Sequence, residues 1–449
     1  MAAKPTPPPP AYFLSLSLEN VRSFGEKQTI SFAREDGRPA QWTIILGDNG
    51  VGKTTVLKSL AALMPVNFDK EDSIYWPDFD STWRSKWWPI RYSGEMTSLM
   101  MFRIEIGEKL NSVTTNLSYT DLDARIPGKA KATFLASGTD DAVGGLICYG
   151  YGASRTTGNS TLSETPETID TCASLFDDRA DLLNPEEWFL FADYRIAKDQ
   201  DPLTTQNFNL IKAALLKVME EGEVTELEVI SPSLPGRGSP RQGVRFKTPY
   251  GWVRLRDMSL GYQTLVVWLT DFADKLFVRY PDSKNPLEEP AIVLIDEIDL
   301  HLHPSWQRKL LKSLSEIFIN TQFIATAHSP LVVQAAGDAG ANVVLLRREG
   351  DQTVVVPDLP DVHRWRIEQI LSSELFDDTS PLSPQTEADL KRRNELLLKK
   401  RLTAKDKAEL AQLDAALTTQ PIGTNAPERR AEDLLAQLAR NLGKADVLQ

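Results

Sequence analysis

The sequence predicts an α/β fold with a parallel core sheet, an antiparallel β lobe and a helical C-terminal extension. Short apolar runs at 42–46, 292–295 and 323–326 have the length and composition of fully buried parallel strands. Helical patterns at 53–64 and 305–319 alternate with these runs, as in an open α/β sheet. Beyond residue 380 the pattern changes to polar helices, predicted at 385–400, 404–417 and 431–442.

The remaining elements follow from local patterns. Residues 1–10 include a run of four prolines and are expected to form a disordered tail. Residues 13–18, 29–32, 101–106 and 146–149 are predicted strands, and the last two are assigned to the antiparallel lobe. A helix is expected at 207–220. Four tryptophans between 76 and 88 indicate a hydrophobic cluster under a long loop or an exposed aromatic surface.

Composition limits the possible classes of protein. The 449 residues are 41% hydrophobic with a net charge of −12, which is typical of a soluble protein and argues against coating nucleic acid along the whole surface. No apolar run approaches the roughly 18–20 residues of a membrane-spanning helix, and the N-terminus lacks a signal-peptide layout. A cytoplasmic protein with no membrane partner is therefore expected. Cys148 and Cys172 are expected to be buried thiols.

The sharpest local signal is a phosphate-binding loop placed between a buried strand and a helix. It fits the pattern G-x-x-x-x-G-K-[ST]. Glycines let backbone N–H groups wrap a phosphate, a lysine reaches the β- and γ-phosphates, and a threonine hydroxyl binds Mg²⁺. ATP and Mg²⁺ are therefore the expected ligands. The expected ATP-binding residues are Gly47, Asp48, Asn49, Gly50, Val51, Gly52, Lys53, Thr54 and Thr55.

Acidic and basic side chains follow the other two core strands. Asp296 and Glu297 end the run at 292–295, and His328 follows the run at 323–326. With Thr54, Asp296 is the expected metal ligand, while Glu297 could polarise the attacking water. His328 is well placed to contact the γ-phosphate and the water. Glu297 and His328 are therefore the candidate catalytic residues.

A fourth motif decides between families. Met258-Ser259-Leu260-Gly261-Tyr262-Gln263 begins a predicted helix and resembles the ABC-ATPase signature, with Met258 and Leu260 as departures. Together with the phosphate loop, the acidic pair and His328, it makes the chain resemble an ABC-type ATPase of the RecF and SMC group. The resemblance implies two heads closing on two ATP molecules, with Ser259, Gly261 and Gln263 acting in trans. It also implies that Asp299 lies at the dimer interface and that Glu297 is the general base.

Two departures from this family are informative. The family has a glutamine between the phosphate loop and the signature, but here no glutamine lies between Gln41 and Gln200. The segment 149–155 is a candidate replacement or a structural turn, which leaves the roles of Ser154 and Arg155 open. Residues 55–258 also lack sustained heptads, which excludes the long coiled-coil arm of an ordinary SMC protein.

Residues 296–304 and 327–330 narrow the resemblance to soluble ATPases of bacterial anti-phage systems. These include OLD-family nucleases, Septu-type ATPases and retron-associated ATPases, and the resemblance covers roughly residues 11–345. His301 and His303 fit a turn packed against the next helix better than a metal site. No D-x-D pair follows His328, so an OLD-type nuclease domain is not expected. A nuclease would be a separate chain, and Septu-type systems use an HNH nuclease.

The domain prediction follows from these motifs. Residues 11–345 are the expected ABC-type ATPase domain, with an insertion at about 66–200, and residues 346–449 are a candidate partner-docking region. Two windows carry a local charge of +6: 231–256 has six bases and no acids, and 391–407 has eight bases and two acids. Either window could contact the phosphate backbone of DNA or RNA, although solvated charged surfaces are the more common case.

The leading functional hypothesis is an ATP-binding and ATP-hydrolysing subunit that dimerises around ATP and regulates a separate effector nuclease in anti-phage defence. Higher oligomers are compatible with it. One alternative is a RecF-like DNA-repair ATPase, and another is a nucleotide-gated scaffold with little turnover. The sequence leaves open the trigger, the effector, the stoichiometry and the speed of hydrolysis.

Overall fold

The computed structural model describes residues 10–62, 147–155, 171–230, 242–397 and 403–418, and the backbone of strands at 97–106, 109–119 and 130–137. The predicted N-terminal tail to residue 9, the tryptophan cluster and the helix at 431–442 lie outside these residues. The chain divides into two compact units, residues 1–370 and 371–449.

The first unit contains all the described strands. They are β1 (Ala11–Glu19), β2 (Gln28–Ser31), β3 (Trp42–Leu46), β4 (Thr97–Ile106), β5 (Lys109–Tyr119), β6 (Ala130–Ser137), β7 (Cys148–Tyr151), β8 (Glu226–Ile230), β9 (Gly243–Thr248), β10 (Gly251–Arg254), β11 (Ala291–Ile295), β12 (Thr321–Thr326), β13 (Asn342–Glu349) and β14 (Gln352–Val355). Its helices are α1 (Lys53–Ala62), α2 (Ala173–Phe176), α3 (Pro185–Asp199), α4 (Pro202–Val218), α5 (Leu260–Arg279), α6 (Pro304–Gln307), α7 (Leu310–Ile317) and α8 (Pro330–Asp338), and α9 (Ile367–Leu371) lies at the division.

The core sheet has the strand order β14-β13-β3-β12-β11-β7, and every pair except β14 with β13 is parallel. Every residue of β3, β11 and β12 is buried, because central parallel strands are covered on both faces. The carboxyl ends of β3, β12, β11 and β7 therefore meet at one edge of the sheet. The sheet continues to Val355, beyond the predicted domain limit at residue 345.

Two antiparallel sheets accompany the core. One has the order β2-β1-β4-β5-β6, and the other is the small sheet β10-β9-β8. The predicted α/β fold with a parallel core and an antiparallel lobe is confirmed. One strand was assigned to the wrong sheet: β7, predicted as an antiparallel strand at 146–149, pairs in parallel with β11 at the edge of the core. All four of its residues are buried, so its short apolar run could not distinguish the two sheets.

Two helices also differ from the prediction. The single helix expected at 305–319 is split into α6 and α7, because Lys309 N–H bonds to the Trp306 carbonyl three residues back and tightens the turn. α4 begins five residues earlier than expected. The Asp201 side chain caps it by accepting a hydrogen bond from Leu203 N–H, and Pro202 occupies the first turn.

The second unit contains the helices α10 (Pro384–Leu397) and α11 (Ala404–Thr418), which pack against each other. Arg392 forms an ion pair with Glu409 at 2.6 Å, and Arg393 forms one with Asp414 at 2.5 Å. Thr403 and Asp406 exchange hydrogen bonds at the start of α11 in the manner of a capping box. The helical C-terminal extension is confirmed for the described residues.

Candidate nucleotide-binding site

The phosphate loop connects β3 to α1 at the carboxyl edge of the core sheet. Gly47 has a φ of +138°, and a Cβ there would lie 2.2 Å from the Leu346 carbonyl oxygen, so the position requires glycine. Gly52 has a φ of +96°, and a Cβ there would lie 2.5 Å from the Ser23 hydroxyl. These close approaches fix the path of the loop into the first turn of α1.

Lys53 is the buried cation of this loop. Its ammonium donates hydrogen bonds to the carbonyls of Gly47 at 2.6 Å and Asp48 at 2.8 Å. Burial lowers the pKa of Lys53 from its usual value, while the charges of Asp296 and Glu297 act in the opposite direction. The ammonium is therefore held over the loop, where a phosphate oxygen could replace either carbonyl.

The loop and β11 meet through Asp296. The Thr54 hydroxyl donates to Asp296 Oδ2 at 2.8 Å, and the Thr326 hydroxyl donates to Asp296 Oδ1 at 2.7 Å. The structure thus brings together the two predicted metal ligands. Thr326 was not predicted, although its place as the polar last residue of a buried strand is a signal that could have found it.

Glu297 lies in a turn that its backbone bonds hold in place. Its φ is +50°, and its N–H donates to the Thr326 hydroxyl at 2.7 Å. Its side chain is half-buried and, within the described part of the chain, makes no hydrogen bond or ion pair. The carboxylate is therefore available to a water molecule.

His328 and Asp299 lie beside this turn. His328 N–H donates to Asp299 Oδ2 at 3.0 Å, and the imidazole is exposed. Asp299 Oδ1 is buried and has no hydrogen-bond partner among the described residues. His328 thus lies at the predicted edge of the sheet, and Asp299 has one carboxylate oxygen whose bonding capacity is unused.

The segment following β7 ends in Arg155, whose role the sequence left open. The side chain is 4% exposed and donates hydrogen bonds to the backbone carbonyls of Asp296 and Glu297. Burial lowers the pKa of Arg155 to about 10, against the opposing charges of Asp296, Asp299 and Glu297, so the guanidinium stays charged at neutral pH. Ser154 bonds to the Asp178 carbonyl at 3.3 Å and takes no part in this contact.

The signature segment forms the start of α5. Ser259 occupies the N-cap position, but its side chain makes no capping hydrogen bond and is exposed. A Cβ on Gly261 would lie 2.3 Å from the His301 carbonyl oxygen, which explains the glycine. Gln263 donates to the Met258 carbonyl at 2.7 Å. This face therefore presents an exposed hydroxyl at a helix N-terminus, while Gln263 stabilises the preceding turn.

Models of known families match the segments that carry this site. A family model described as "AAA domain, putative AbiEii toxin, Type IV TA system" matches residues 172–334, and a second AAA-domain model matches residues 15–64. The two ranges contain the phosphate loop, the signature segment, the Asp296–Glu297 pair and His328. The chain is thus similar to AAA ATPases, and the signature segment makes it similar to their ABC type.

Individual relatives belong to the kinds of protein that the motifs indicated. The chain is similar to Septu protein PtuA of Bacillus mycoides (strain KBAB4), with 25% identity over 369 residues, 82% of this chain and 45% of that protein. It is also similar to the Retron Ec83 probable ATPase of Escherichia coli, with 51% identity over 75 residues, 17% of this chain and 14% of that protein. The resemblance to Septu-type and retron-associated ATPases is confirmed. The chain spans less than half the length of these two relatives.

Among solved structures, the SMC head domain from Thermotoga maritima matches with a TM-score of 0.41 and 15% identity, over 78% of this chain and 100% of that one. The fold assignment rests on the strand order and the phosphate loop rather than on this match.

Thr54 and Asp296 have the ligand atoms expected for Mg²⁺. Threonine hydroxyl and aspartate carboxylate are hard oxygen ligands of the kind that Mg²⁺ prefers, and in Thr54 and Asp296 they lie 2.8 Å apart. The pair therefore fits the ion. His303 instead caps α6 by accepting a hydrogen bond from Ser305 N–H. Among the described residues, no group of three His, Cys, Asp or Glu side chains could hold a metal.

The two basic windows are partly neutralised within the described residues. On β9, Arg245 forms an ion pair with Glu228 and Lys247 forms one with Glu226, both at 2.6 Å and both across the small sheet. In the second window, Arg392 and Arg393 are paired with acids of α11. Arg237, Arg241, Lys399, Lys400 and Arg401 lie outside the described residues. Nucleic-acid contact at either window stays a prediction.

The sequence also makes predictions about the two cysteines and about membrane-spanning helices. Cys148 and Cys172 are both buried free thiols, as predicted. The described helices include none long and apolar enough to cross a membrane.

A polar cluster connects β7 of the core sheet to α5. The Tyr151 hydroxyl on β7 donates to Asp271 Oδ2 at 2.8 Å, and Lys275 forms an ion pair with the same oxygen at 2.7 Å. Asp274, one turn along α5, accepts a hydrogen bond from Trp188 Nε1 at 2.8 Å. Burial raises the pKa of Asp274, with a further increase from the charge of Asp271.

Replacing Asp274 with Asn is expected to raise the melting temperature at pH 8. The raised pKa means that the folded state binds this proton more tightly than the unfolded state, so the free energy of unfolding falls as pH rises through the raised pKa. Asn cannot ionise and keeps an oxygen for Trp188. Thermal melts of both proteins from about pH 4, near the ordinary pKa of aspartate, up to about pH 8 should show a gain that shrinks as pH falls. The exposed Asp257→Asn is the control, and an equal gain at every pH would contradict the assignment.

Proposed function

We propose that this chain binds and hydrolyses ATP as a dimer and regulates a separate effector nuclease in bacterial anti-phage defence. The observation that carries the ATPase part is the cluster formed by Lys53, Thr54, Asp296 and Glu297 at the carboxyl edge of the core sheet. The defence part is supported by the similarity to Septu and retron ATPases.

The residues of the site have separate roles in this proposal. Backbone N–H groups of the phosphate loop and the Lys53 ammonium bind the phosphates of ATP. Glu297 accepts a proton from the water that attacks the γ-phosphorus, and the bond to the β-phosphate oxygen breaks to leave ADP. His328 orients the water and the γ-phosphate. Thr54 and Asp296 would hold Mg²⁺, which neutralises phosphate charge when bound.

Dimerisation is supported by one feature of the surface, the exposed start of α5. Ser259 is exposed at the N-terminus of the 20-residue helix α5, where a phosphate of a second subunit's ATP would find both a hydroxyl and the helix dipole. Ser259, Gly261 and Gln263 would then act in trans, with Asp299 at the interface.

The dimer can be tested with a variant that retains ATP. Glu297→Gln with ATP and Mg²⁺ is expected to run as a dimer in light scattering, and as a monomer without nucleotide. Adding Ser259→Glu places a carboxylate against the phosphate of the other subunit, so Coulomb repulsion should return the protein to a monomer. Ser259→Ala removes one hydroxyl without adding charge and serves as the control. A dimer that forms without nucleotide and persists in the Ser259→Glu variant would contradict the trans arrangement.

The effector is tested by co-purification with the products of the adjacent genes. A metal-dependent HNH nuclease that binds the ATPase, and whose cleavage changes with the nucleotide state, would support the proposal. If residues 346–449 dock the partner, a chain that ends before α10 should no longer bind the nuclease. Salt-sensitive DNA binding by the isolated chain with DNA-stimulated turnover would instead favour a RecF-like ATPase.

A further inference from the structure

Arg155 is buried against main-chain oxygens. Its guanidinium donates to the carbonyls of Asp296, Glu297 and Gly152, the last two at 2.6 Å and 2.9 Å. Buried arginines usually pair directly with a carboxylate, because removing the charge from water is otherwise costly. Here the guanidinium instead holds together the end of β7 and the turn that follows β11.

This turn is the one that carries the candidate general base. Glu297 has a φ of +50°, a left-handed conformation that is unfavourable for a non-glycine residue. Its N–H is bound by the Thr326 hydroxyl and its carbonyl by Arg155. Hydrogen bonds therefore hold both the N–H and the carbonyl of Glu297. They fix the direction in which its side chain projects from the backbone.

The segment that carries Arg155 is itself anchored. Asp296 N–H donates to the Tyr151 carbonyl at 2.8 Å, and the Tyr151 hydroxyl bonds to Asp271 of α5. A Cβ on Gly152 would lie 2.3 Å from the Ser174 carbonyl oxygen, so the chain after β7 also packs closely against α2. Arg155 thus acts from a rigid support rather than from a loose loop.

We propose that Arg155 is a positioning residue for Glu297: by binding the carbonyls of Asp296 and Glu297, it holds the turn in which Glu297 can activate water. The inference rests on the proposed ATPase function. Arg155 itself donates to three carbonyls of this chain, so its loss should affect the hydrolysis step rather than ATP binding. The segment at 149–155, predicted as a candidate replacement for the family's glutamine, would thus act on the backbone of the catalytic turn.

The test compares Arg155→Ala with wild type in three measurements: single-turnover hydrolysis, affinity for a fluorescent ATP analogue, and hydrogen–deuterium exchange of the peptide 293–302 without nucleotide. Misplacing a catalytic group by about 1 Å can lower a rate about 100-fold, so we expect the rate to fall by about 10–100-fold. Affinity should stay within about 3-fold. Exchange at 296–299 should become faster, because the turn loses its bonds to Arg155.

Conservative and control variants separate positioning from general damage. Arg155→Lys can reach a carbonyl but lacks the planar fork, so it should recover part of the rate and part of the protection from exchange. Arg179→Ala, at an exposed position, should change none of the three measurements. If Arg155→Ala does not fold, Arg155→Lys and Arg155→Gln provide the same comparison, with a smaller loss for Lys.

Two results would overturn the inference. One is an Arg155→Ala protein with the wild-type rate and wild-type exchange at 296–299. The other is equal loss of ATP affinity and rate, which would indicate a binding or structural role. If the wild-type chain itself fails to hydrolyse ATP, the proposed function is wrong. Exchange at 296–299 then decides the role of Arg155 alone, since that measurement needs neither nucleotide nor turnover.

Discussion

Replacing Glu297 with Gln is expected to lower the single-turnover rate of ATP hydrolysis by about 10²–10⁴-fold, the usual contribution of a general base. Gln is nearly the same size as Glu but cannot accept the proton of the attacking water. The backbone bonds to Thr326 and Arg155 involve no side-chain atoms of Glu297, so the turn should keep its shape. Affinity for ATP, measured with a fluorescent analogue, should remain close to wild type.

The control for this change is Glu349→Gln, an exposed carboxylate at the end of β13. It makes the same chemical change outside the site and should leave the rate unaltered. Hydrolysis by Glu297→Gln at the wild-type rate would assign the base to another group, and His328→Ala would then be the next variant to measure.

Lys53→Ala is expected to weaken ATP binding by about 10–100-fold, since hydrogen bonds to charged groups contribute about 1.5–3 kcal/mol. The ammonium lies between the carbonyls of Gly47 and Asp48 and is the buried cation of the phosphate loop. At ATP concentrations that saturate the wild type, the variant should bind little ATP and therefore show little turnover. Isothermal titration calorimetry with ATP and Mg²⁺ measures the affinity directly.

Lys27→Ala removes an exposed lysine and should bind ATP as the wild type does. A thermal melt of Lys53→Ala in the absence of ATP tests whether the domain remains folded. Unchanged affinity in a folded Lys53→Ala protein would contradict the assignment of the phosphate loop as the ATP-binding site.

The main parts of the candidate ATP site could be predicted from the sequence because each follows a strand with a clear apolar pattern. β3, β11 and β12 are buried on both faces, and their mainly apolar runs are unlike those of surface segments. The motifs that follow them must therefore meet at the same edge of the sheet. The positions of these motifs directly after core strands were enough to predict that Thr54 and Asp296 lie close together.

The parts of the site that could not be predicted depend on long-range packing. β7 is four residues long and its partner β11 lies about 140 residues further along the chain, so its short apolar pattern carries no information about which sheet it joins. The contact of Arg155 with the Asp296 and Glu297 carbonyls follows from that pairing. The split between α6 and α7 depends on a local hydrogen-bond shift that a periodic pattern does not reveal.

The most direct test of the central claim is a single-turnover experiment on the purified chain. Limiting radiolabelled ATP is mixed with excess protein and Mg²⁺, unlabelled ATP is added, and the bound label is followed as ATP or ADP. The ATPase proposal predicts conversion of bound ATP to ADP, with little conversion in Glu297→Gln. Bound ATP that persists for hours in the wild type would contradict hydrolysis and favour a nucleotide-gated scaffold.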